Sequence, residues 1–449
     1  MSHSVAVTGE DRERFENAFD ADRANAVALN AVVHNGLFKS AKNFSAVQNI
    51  SHTFSVQLQQ GDITNQKQSG RCWMFAGMNV IRAKIMQERK MKNFELSQAY
   101  LFFFDKLEKA NYFLENIIET REEPVNGRLV SFLLQDPVGD GGQWDMFCGL
   151  VRKYGLVPKS AYPESVSSSA SRELNTCLTE KLREDACVLR TKYEEGSGIE
   201  QLRELKTDML EEIYRFLCIC LGKPPKTFDF EYRDKDNEFF RDAGLTPLSF
   251  FEKYVTIDLA DYISIINAPT QDKPFHRSYT VRFLGSVKEG KPVKYLNLPI
   301  EDLKRLAAAQ MQDGEPVWFG CDVGKRSDRD SGILDTGILS LEPLLNTHFS
   351  MTKAQRLDYG HSLMTHAMVL QGVNLDESGR PNRWRVENSW GKDPGCEGYY
   401  VMSDEWFDEY LYQIVVHKKY LSPEQLAAFE TEPVVLEPWD PMGSLAAAN

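Results

Sequence analysis

Residues 65–76 read NQKQSGRCWMFA and put Cys72 between a polar loop and an apolar run. The apolar run is typical of the start of a helix, and the Ser-Gly pair before it is typical of a loop. The positive end of a helix dipole and its free N–H groups favour a thiolate. Gln66, six residues before the cysteine, carries an amide that can reach the same point. This segment therefore predicts a nucleophilic thiol where a loop enters a helix.

Two later positions supply the partners that such a thiol requires. His366 directly precedes the β-like run 367–373, and Asn388 ends the run 383–388. A histidine can take the thiol proton and later return it to the leaving amine. An asparagine carbonyl can hold the imidazole without adding a negative charge. These positions predict a catalytic set of Cys72, His366 and Asn388.

Two further side chains complete the predicted site. Gln66 and the backbone N–H of Cys72 fit an oxyanion hole, and Trp390 fits a shield over the bond between His366 and Asn388. Taken singly, such a histidine is more often a core residue, and such an asparagine is more often a turn residue. The combination in this order favours thiol peptidase chemistry.

Helical and β-like patterns separate along the chain. Apolar residues recur at helical spacing before residue 220, whereas β-like runs strengthen after residue 315. This separation predicts an α+β fold, with a helical half carrying the cysteine, a β half carrying histidine and asparagine, and a site between them. The segments with assignable patterns are helices at 10–33, 72–91, 96–104, 144–153 and 199–219, mixed loop and strand at 38–61, and a polar loop at 166–171.

Composition and motifs narrow the class of protein. The chain has 449 residues and a net charge of −13, which argues against nucleic acid as its main partner. Neither a signal peptide nor an apolar run long enough for a membrane span is present. Eight cysteines without paired spacing predict free thiols in a reducing, cytoplasmic setting. No zinc or nucleotide motif occurs, so the predicted chemistry needs no metal and no other cofactor.

The quoted residues resemble the papain-like cysteine peptidases. The block 66–73 is similar to that family's active-site start, 366–367 to its histidine strand and 388–391 to its asparagine signature. Gly141 and Gly142 are similar to the glycine pair that lines the family's cleft and hydrogen-bonds the substrate backbone. The resemblance therefore implies a papain-like fold of two subdomains.

Longer segments resemble the bleomycin hydrolase and aminopeptidase C branch of that family. They are 96–103, 362–368 and 438–443, and the 294 residues that separate Cys72 from His366 exceed the papain-like spacing. The resemblance implies a cysteine aminopeptidase of broad specificity that acts on peptides with a free N-terminus and on bleomycin-like amides. It also implies a cage-like homohexamer. The expected segments are an N-terminal helical arm (1–60), a helical subdomain with the nucleophile (61–155), a mostly helical insertion that serves oligomerisation (156–300), a β subdomain with histidine and asparagine (301–421) and a C-terminal tail (422–449).

The resemblance also implies that the tail lies in the active-site cleft. A chain there blocks long substrates, and its terminal carboxylate, on Asn449, can pair with the substrate α-ammonium. Tails in the family end near the position of Ala446, so the longer tail predicts either self-trimming or a carboxylate deeper in the cleft. Ser69 stands where the family usually has a cysteine, which removes a disulfide and suits a reducing compartment.

Two alternatives remain open at the level of sequence. A Cys-His-Asn site also serves endopeptidases, isopeptidases and acyltransferases, although the tail argues against them. The other alternative is a non-enzymatic role, as a scaffold hexamer or as a hexamer that binds nucleic acid in a secondary role. The acidic net charge argues against nucleic-acid binding as the main role.

Overall fold

The computed structural model describes residues 5–59 and 61–446. Its α-helices are α1 (Gly9–Asp20), α2 (Arg23–Asn35), α3 (Leu37–Ala41), α4 (Phe44–Asn49), α5 (Cys72–Glu88), α6 (Gln98–Glu119), α7 (Arg128–Gln135), α8 (Trp144–Tyr154), α9 (Val166–Ser169), α10 (Arg172–Glu194), α11 (Ile199–Leu221), α12 (Pro247–Tyr254), α13 (Ile300–Gln312), α14 (Leu341–Leu345), α15 (Lys353–Asp358), α16 (Asp404–Tyr410) and α17 (Pro423–Glu430). Its β-strands are β1 (Val56–Gln57), β2 (Phe228–Arg233), β3 (Phe239–Leu245), β4 (Tyr262–Ile266), β5 (Arg277–Val281), β6 (Tyr295–Asn297), β7 (Val317–Cys321), β8 (Ser327–Asp328), β9 (Ile333–Leu334), β10 (His366–Leu375), β11 (Pro381–Glu387), β12 (Tyr399–Ser403), β13 (Leu411–His417) and β14 (Val434–Leu436). The predicted α+β class is confirmed.

Helix α5 lies at the centre of the helical half. Apolar side chains surround it, which is typical of a fully buried helix, and Trp73, Phe75 and Ile81 have no exposed surface. Helices α6 and α8 pack against α5, while α10 and α11 pack on α6. Strands β7 and β10 also contact α5, so the helix that begins with Cys72 lies against the β half.

One large sheet forms the β half. Its strand order is β14-β5-β6-β4-β13-β7-β10-β11-β12-β9-β8, and β1 pairs with β10 outside this path. Strand β10 runs antiparallel to β7 and β11, with His366 opposite Cys321. A buried ion pair joins the sheet to α5, because Arg82 Nη2 lies 2.9 Å from Glu387 Oε1 and both side chains are almost fully buried. The sheet thereby holds His366 and the residues after β11 close to the nucleophile helix.

The segment 156–300, expected to be a mostly helical insertion, contains strands as well as helices. Helices α10 and α11 pack together, and β2 and β3 form a separate two-stranded sheet. Strands β4, β5 and β6 join the large sheet, where β4 lies beside β13. These strands have three to five residues each, which is too short for their alternation to stand out in the sequence.

The N-terminal segment differs from the single helix expected at 10–33. The side chain of Asp22 accepts a hydrogen bond from the backbone of Ala24 and caps α2, so α1 and α2 are separate. The mixed region 38–61 contains α3, α4 and β1, and the polar loop 166–171 contains the short, capped helix α9. Side-chain caps at Asn43 and Ser165, rather than apolar periodicity, mark the starts of the short helices α4 and α9. Over the described ranges, no helix has both the length and the apolar character needed to cross a bilayer.

Candidate active site

Cys72 is the first residue of α5 and is fully buried. Side chains hold the loop before it, since the Ser69 hydroxyl donates to the Gln66 carbonyl at 2.7 Å and accepts from Arg71 Nε at 2.8 Å. The buried Arg71 also donates two hydrogen bonds to the carboxylate of Glu164, at 3.0 and 3.1 Å. These bonds fix the entry of the chain into the helix and therefore the position of the sulfur.

The imidazole of His366 lies against Asn388. Its Nε2 is 2.9 Å from Asn388 Oδ1, and the same Oδ1 accepts the backbone N–H of Ser389 at 2.8 Å. Because a backbone N–H only donates, the atom it reaches is the amide oxygen, and Nε2 must carry the imidazole proton. Nδ1 is then the basic nitrogen, and it forms no hydrogen bond with the described residues. This tautomer leaves Nδ1 to accept a proton from a thiol.

Backbone groups from both halves of the protein surround the sulfur of Cys72. The N–H of Ala367, the residue after His366, donates to it, as do N–H groups at the start of α5. The predicted nucleophile and the predicted base, far apart in the sequence, are therefore neighbours in the fold. This contact depends on the packing of α5 against β10.

Burial opposes the charged form of each of these two groups. It raises the pKa of the Cys72 thiol to about 12, although hydrogen bonds from Ala367 and the helix N-terminus act to lower it. Burial also lowers the pKa of His366 to about 4; the bond to Asn388 opposes this shift and the charge of Arg329 adds to it. The helix N-terminus thus acts in the predicted direction, but burial outweighs it. Proton transfer inside the pair creates both charges together, so each can stabilise the other.

Gln66 contacts the loop before Cys72 and the residue after Asn388, and Trp390 contacts His366. Gln66 is fully buried; its Oε1 accepts from the Ser389 hydroxyl and its Nε2 donates to the Ser69 carbonyl, both at 2.6 Å. The indole of Trp390 packs on the imidazole of His366, with ring centroids 4.9 Å apart. Gln66 therefore joins the cysteine loop to the asparagine loop, and Trp390 covers one face of the histidine.

The glycine pair borders the site, and the chain's own tail lies against it. Ala446 is fully buried and pairs with Gly142 in an antiparallel bridge, with N···O distances of 3.4 Å in both directions. A side chain at Gly142 would lie 2.4 Å from the indole of Trp73, so a larger residue does not fit. Lys109 Nζ holds the Gly141 carbonyl at 2.7 Å. Gly142 thus offers a backbone donor and acceptor to an extended chain, and Ala446 uses both.

The tail is fastened well before it reaches the site. Strand β14 pairs in parallel with β5. Lys273, which is 4% exposed, forms an ion pair with Asp440 at 2.9 Å. The guanidinium of Arg128 lies 3.8 Å from the ring centroid of Trp439. The buried cation and the stacked arginine hold this part of the tail in one path.

Closer to the site, hydrogen bonds hold the tail in place. Gln143 Nε2 donates to the Ser444 carbonyl at 2.7 Å, and the Ser444 hydroxyl donates to the Met364 carbonyl at 2.5 Å. Met364 lies two residues before His366, so the tail contacts both halves of the protein. Asn449, expected to bind substrate through its carboxylate, lies outside the described residues.

A group of buried charges behind the glycine pair was not predicted from the sequence. Asp140 accepts from the backbone N–H of Gly70 and from Lys106 Nζ, both at 2.7 Å. Lys109 Nζ binds Asp105 at 2.8 Å. Asp140 therefore ties the cysteine loop to the glycine pair. The available signal was the presence of charged residues inside the otherwise apolar helix α6, because buried charges persist only when they are paired.

Asp140→Asn is expected to lower the free energy of unfolding by about 3–5 kcal/mol, because it leaves Lys106 as a buried cation without its partner. Burial raises the pKa of Asp140, but the charge of Lys106 and hydrogen bonds from Lys106, Ser171 and Asn175 hold it well below its usual value. Such a carboxylate stabilises the fold above its unfolded pKa of about 3.9. This contribution is lost as the pH falls through the lower folded pKa.

Urea unfolding at pH 7 measures this loss. Asp393→Asn, at an exposed aspartate, is the matched control and is expected to change the unfolding free energy by less than about 0.5 kcal/mol. Equally small losses in the two variants would contradict a structural role for the Asp140 charge.

The chemistry available at this site is nucleophilic. Over the described ranges, no group of three or more His, Cys, Asp or Glu side chains could hold a metal ion. A thiol, a basic imidazole nitrogen and a buried amide that orients the ring are the components of thiol acyl transfer. The arrangement suits attack on a carbonyl carbon, followed by protonation of the leaving group.

Known proteins resemble this chain over nearly its full length. The model of the Peptidase C1-like family matches residues 6–443. The chain belongs to the peptidase C1-like family. It is similar to aminopeptidase C of Streptococcus thermophilus, with 52% identity over 429 residues and 96% of each chain covered. Aminopeptidase C of Listeria monocytogenes serovar 1/2a is 51% identical over 440 residues, covering 98% of this chain and 99% of that protein.

A solved crystal structure has the same fold. The crystal structure of PepW from Lactobacillus rhamnosis HN001 matches with a TM-score of 0.97 and 51% identity. The match covers 99% of this chain and 100% of that one. The papain-like fold predicted from the sequence is thus confirmed.

Proposed function

We propose that this chain is a cysteine aminopeptidase that removes single residues from peptides of varied sequence. The observation that carries the proposal is the bridge between Ala446 and Gly142, which packs against Trp73, the residue after Cys72. An extended substrate needs the same backbone edge for the residues before its scissile bond, and the tail already occupies it. The activity named for the aminopeptidase C relatives supports the same function.

In the proposed reaction, His366 Nδ1 takes the proton of Cys72, and the sulfur attacks the carbonyl carbon of the first substrate residue. The backbone N–H of Cys72 and the Gln66 amide are the proposed donors to the oxyanion. Collapse breaks the C–N bond, and the imidazolium gives its proton to the leaving amine. Water, deprotonated by the same histidine, then cleaves the thioester and releases the amino acid. Asn388 maintains the tautomer, and Trp390 shields its bond to the ring.

The tail gives a physical reason for removing one residue at a time. Its described end, Ala446, fills the backbone edge at Gly142, and three more residues follow in the sequence. We propose that the C-terminal carboxylate, on Asn449 or on a residue exposed by trimming, pairs with the substrate α-ammonium. In a partly desolvated cleft, this charge-assisted bond is worth more than an exposed ion pair.

The proposal includes a homohexamer, a cytoplasmic location and hydrolysis of bleomycin-like amides. Helices α1 and α2 contain no buried residue. Their apolar side chains are exposed instead, and Phe15, Val27 and Val33 are 51%, 68% and 71% exposed. Apolar surface of this extent supports contacts between subunits. The free thiols of the described cysteines agree with a reducing compartment.

The proposed activity predicts a strong preference for a free N-terminus. A fluorogenic alanine amide is expected to react with a kcat/KM at least about tenfold above that of its N-acetylated form, since acetylation removes the ammonium and adds atoms where the tail lies. Initial rates in the presence of a reductant measure the ratio, and Cys72→Ala controls for a contaminating peptidase. Equal rates for the two substrates would indicate an endopeptidase or an acyltransferase instead.

A further inference from the structure

Arg329 lies over the tryptophan that covers the proposed base. Its guanidinium carbon is 4.5 Å from the ring centroid of Trp390, and that ring is 4.9 Å from the ring of His366. The Arg329 carbonyl accepts from the Tyr400 hydroxyl at 3.1 Å and from the backbone N–H of Gly332 at 3.3 Å, which fixes its backbone. A guanidinium stacked on an indole keeps its N–H donors free at its edge. A cation is therefore held one aromatic ring away from the reacting histidine.

This cation has no carboxylate partner among the described residues. Of its two acidic neighbours in sequence, Asp328 pairs with Lys42 at 2.5 Å and accepts from Ser331, and Asp330 is exposed without an ion pair to a described residue. Acidic residues outnumber lysine and arginine by 65 to 52 in this chain. An arginine without an ion pair in such an acidic protein is available to a carboxylate from a ligand.

The position of Arg329 corresponds to the leaving-group side of the cleft. The tail fills the other side, where Ala446 bridges to Gly142. His366 must protonate the leaving amine, so the residues after the scissile bond pass its ring and that of Trp390. An extended chain advances about 3.3–3.6 Å per residue. The guanidinium is therefore within reach of the first or second residue beyond the bond.

We propose that Arg329 binds a carboxylate on the leaving part of the substrate. The enzyme then favours dipeptides and tripeptides with a free C-terminus, and peptides with Asp or Glu in the second or third position. Both sources present the same planar group to the forked donors of arginine. The inference rests on the proposed aminopeptidase function and names its preferred substrates. Because the bond forms equally in the bound substrate and in the transition state, it lowers KM more than it raises kcat.

Matched peptides separate the two sources of the carboxylate. Ala-Leu and Ala-Leu-Leu with a free or an amidated C-terminus test the terminal carboxylate, and Ala-Glu against Ala-Gln, both amidated, tests the side chain. Within each pair of peptides, we expect kcat/KM to be about fivefold higher for the peptide that carries the carboxylate, as for a favourable exposed ion pair. Arg329→Gln is expected to bring the ratios close to one. Arg380→Gln, at an exposed arginine in the turn between β10 and β11, is expected to leave them unchanged.

A fluorogenic alanine amide, which carries no carboxylate, separates binding from indirect effects. Because the Arg329 charge also acts on His366, the rate for each peptide is divided by the rate for this amide in the same variant. The divided rates for the acidic peptides should fall about fivefold in Arg329→Gln, and Arg329→Lys should retain part of the acidic preference. Unchanged ratios in Arg329→Gln, or an equal loss on every substrate, would overturn the inference and leave the aminopeptidase assignment intact. Absence of any hydrolysis that depends on Cys72 would instead refute the proposed function.

Discussion

Cys72→Ala is expected to lower kcat/KM for an alanine amide by about 10⁴-fold or more, because it removes the covalent route that the nucleophile and its base share. The sulfur is fully buried among backbone N–H groups from α5 and from Ala367. His366→Ala is expected to lose nearly as much activity, and the double variant little more, since groups that act as a unit are not additive. Initial rates, corrected for the concentration of folded protein, measure these losses.

Cys148→Ala is the matched control for the loss of a buried thiol. Cys148 is 4% exposed and belongs to the same apolar core as Cys72. Its replacement is expected to cost roughly 1 kcal/mol of stability and to leave the rate within about twofold. Iodoacetamide should inactivate both the wild type and this variant by modifying residue 72, as peptide mapping would detect. Substantial activity in Cys72→Ala would contradict the assignment of the nucleophile.

Removal of residues 444–449 is expected to redirect the enzyme towards N-blocked and internal peptide bonds. The deletion takes away Ala446, which occupies the backbone edge of Gly142, and Ser444, which joins the tail to Gln143 and Met364. The kcat/KM for N-acetylated peptides should rise at least about tenfold, and that for free-amine amides should fall by about tenfold, because the terminal carboxylate moves back to Gly443, before the part of the tail that reaches Gly142. Paired fluorogenic substrates and mass analysis of peptide fragments measure both changes.

A shorter deletion is the matched control for this change. Removal of residues 447–449 alone leaves Ala446 with a carboxylate of its own, so the preference for a free N-terminus should persist. The intact mass of the full-length protein, compared with that of Cys72→Ala, tests self-trimming, because only the active form can lose terminal residues. Strict action on free N-termini by the longer deletion would contradict the role of the tail in specificity.

Several elements that position the candidate site could be predicted from short stretches of sequence. A cysteine between a polar loop and an apolar run predicted the start of α5, and the structure begins that helix at Cys72. His366 begins a strand and Asn388 follows one, and the 2.9 Å contact between their side chains joins the two segments. The helix start and the two strand ends could be predicted because loop chemistry and strand patterning both show within a few residues, whereas the catalytic roles remain a proposal.

Features that depend on distant contacts could not be predicted in the same way. The structural role of Asp140 depends on its hydrogen bonds with Lys106 and Gly70, which lie in different segments of the chain. Arg329 lies in an exposed loop with no pattern, and only the fold stacks it on Trp390. Strands β4 to β6 are too short to show a period and are defined by the neighbours with which they pair.

If the tail sets selectivity as proposed, its covalent attachment makes that selectivity independent of protein concentration. A separate blocking peptide would dissociate at low protein concentration or yield to an excess of substrate. Here the blocking segment belongs to the same chain, and the Lys273–Asp440 ion pair and the stacking of Arg128 on Trp439 keep it close. Its effective concentration therefore stays on the order of millimolar or above, whatever the amount of enzyme. On the proposed function, a purification tag fused after Asn449 is therefore expected to weaken the preference for a free N-terminus.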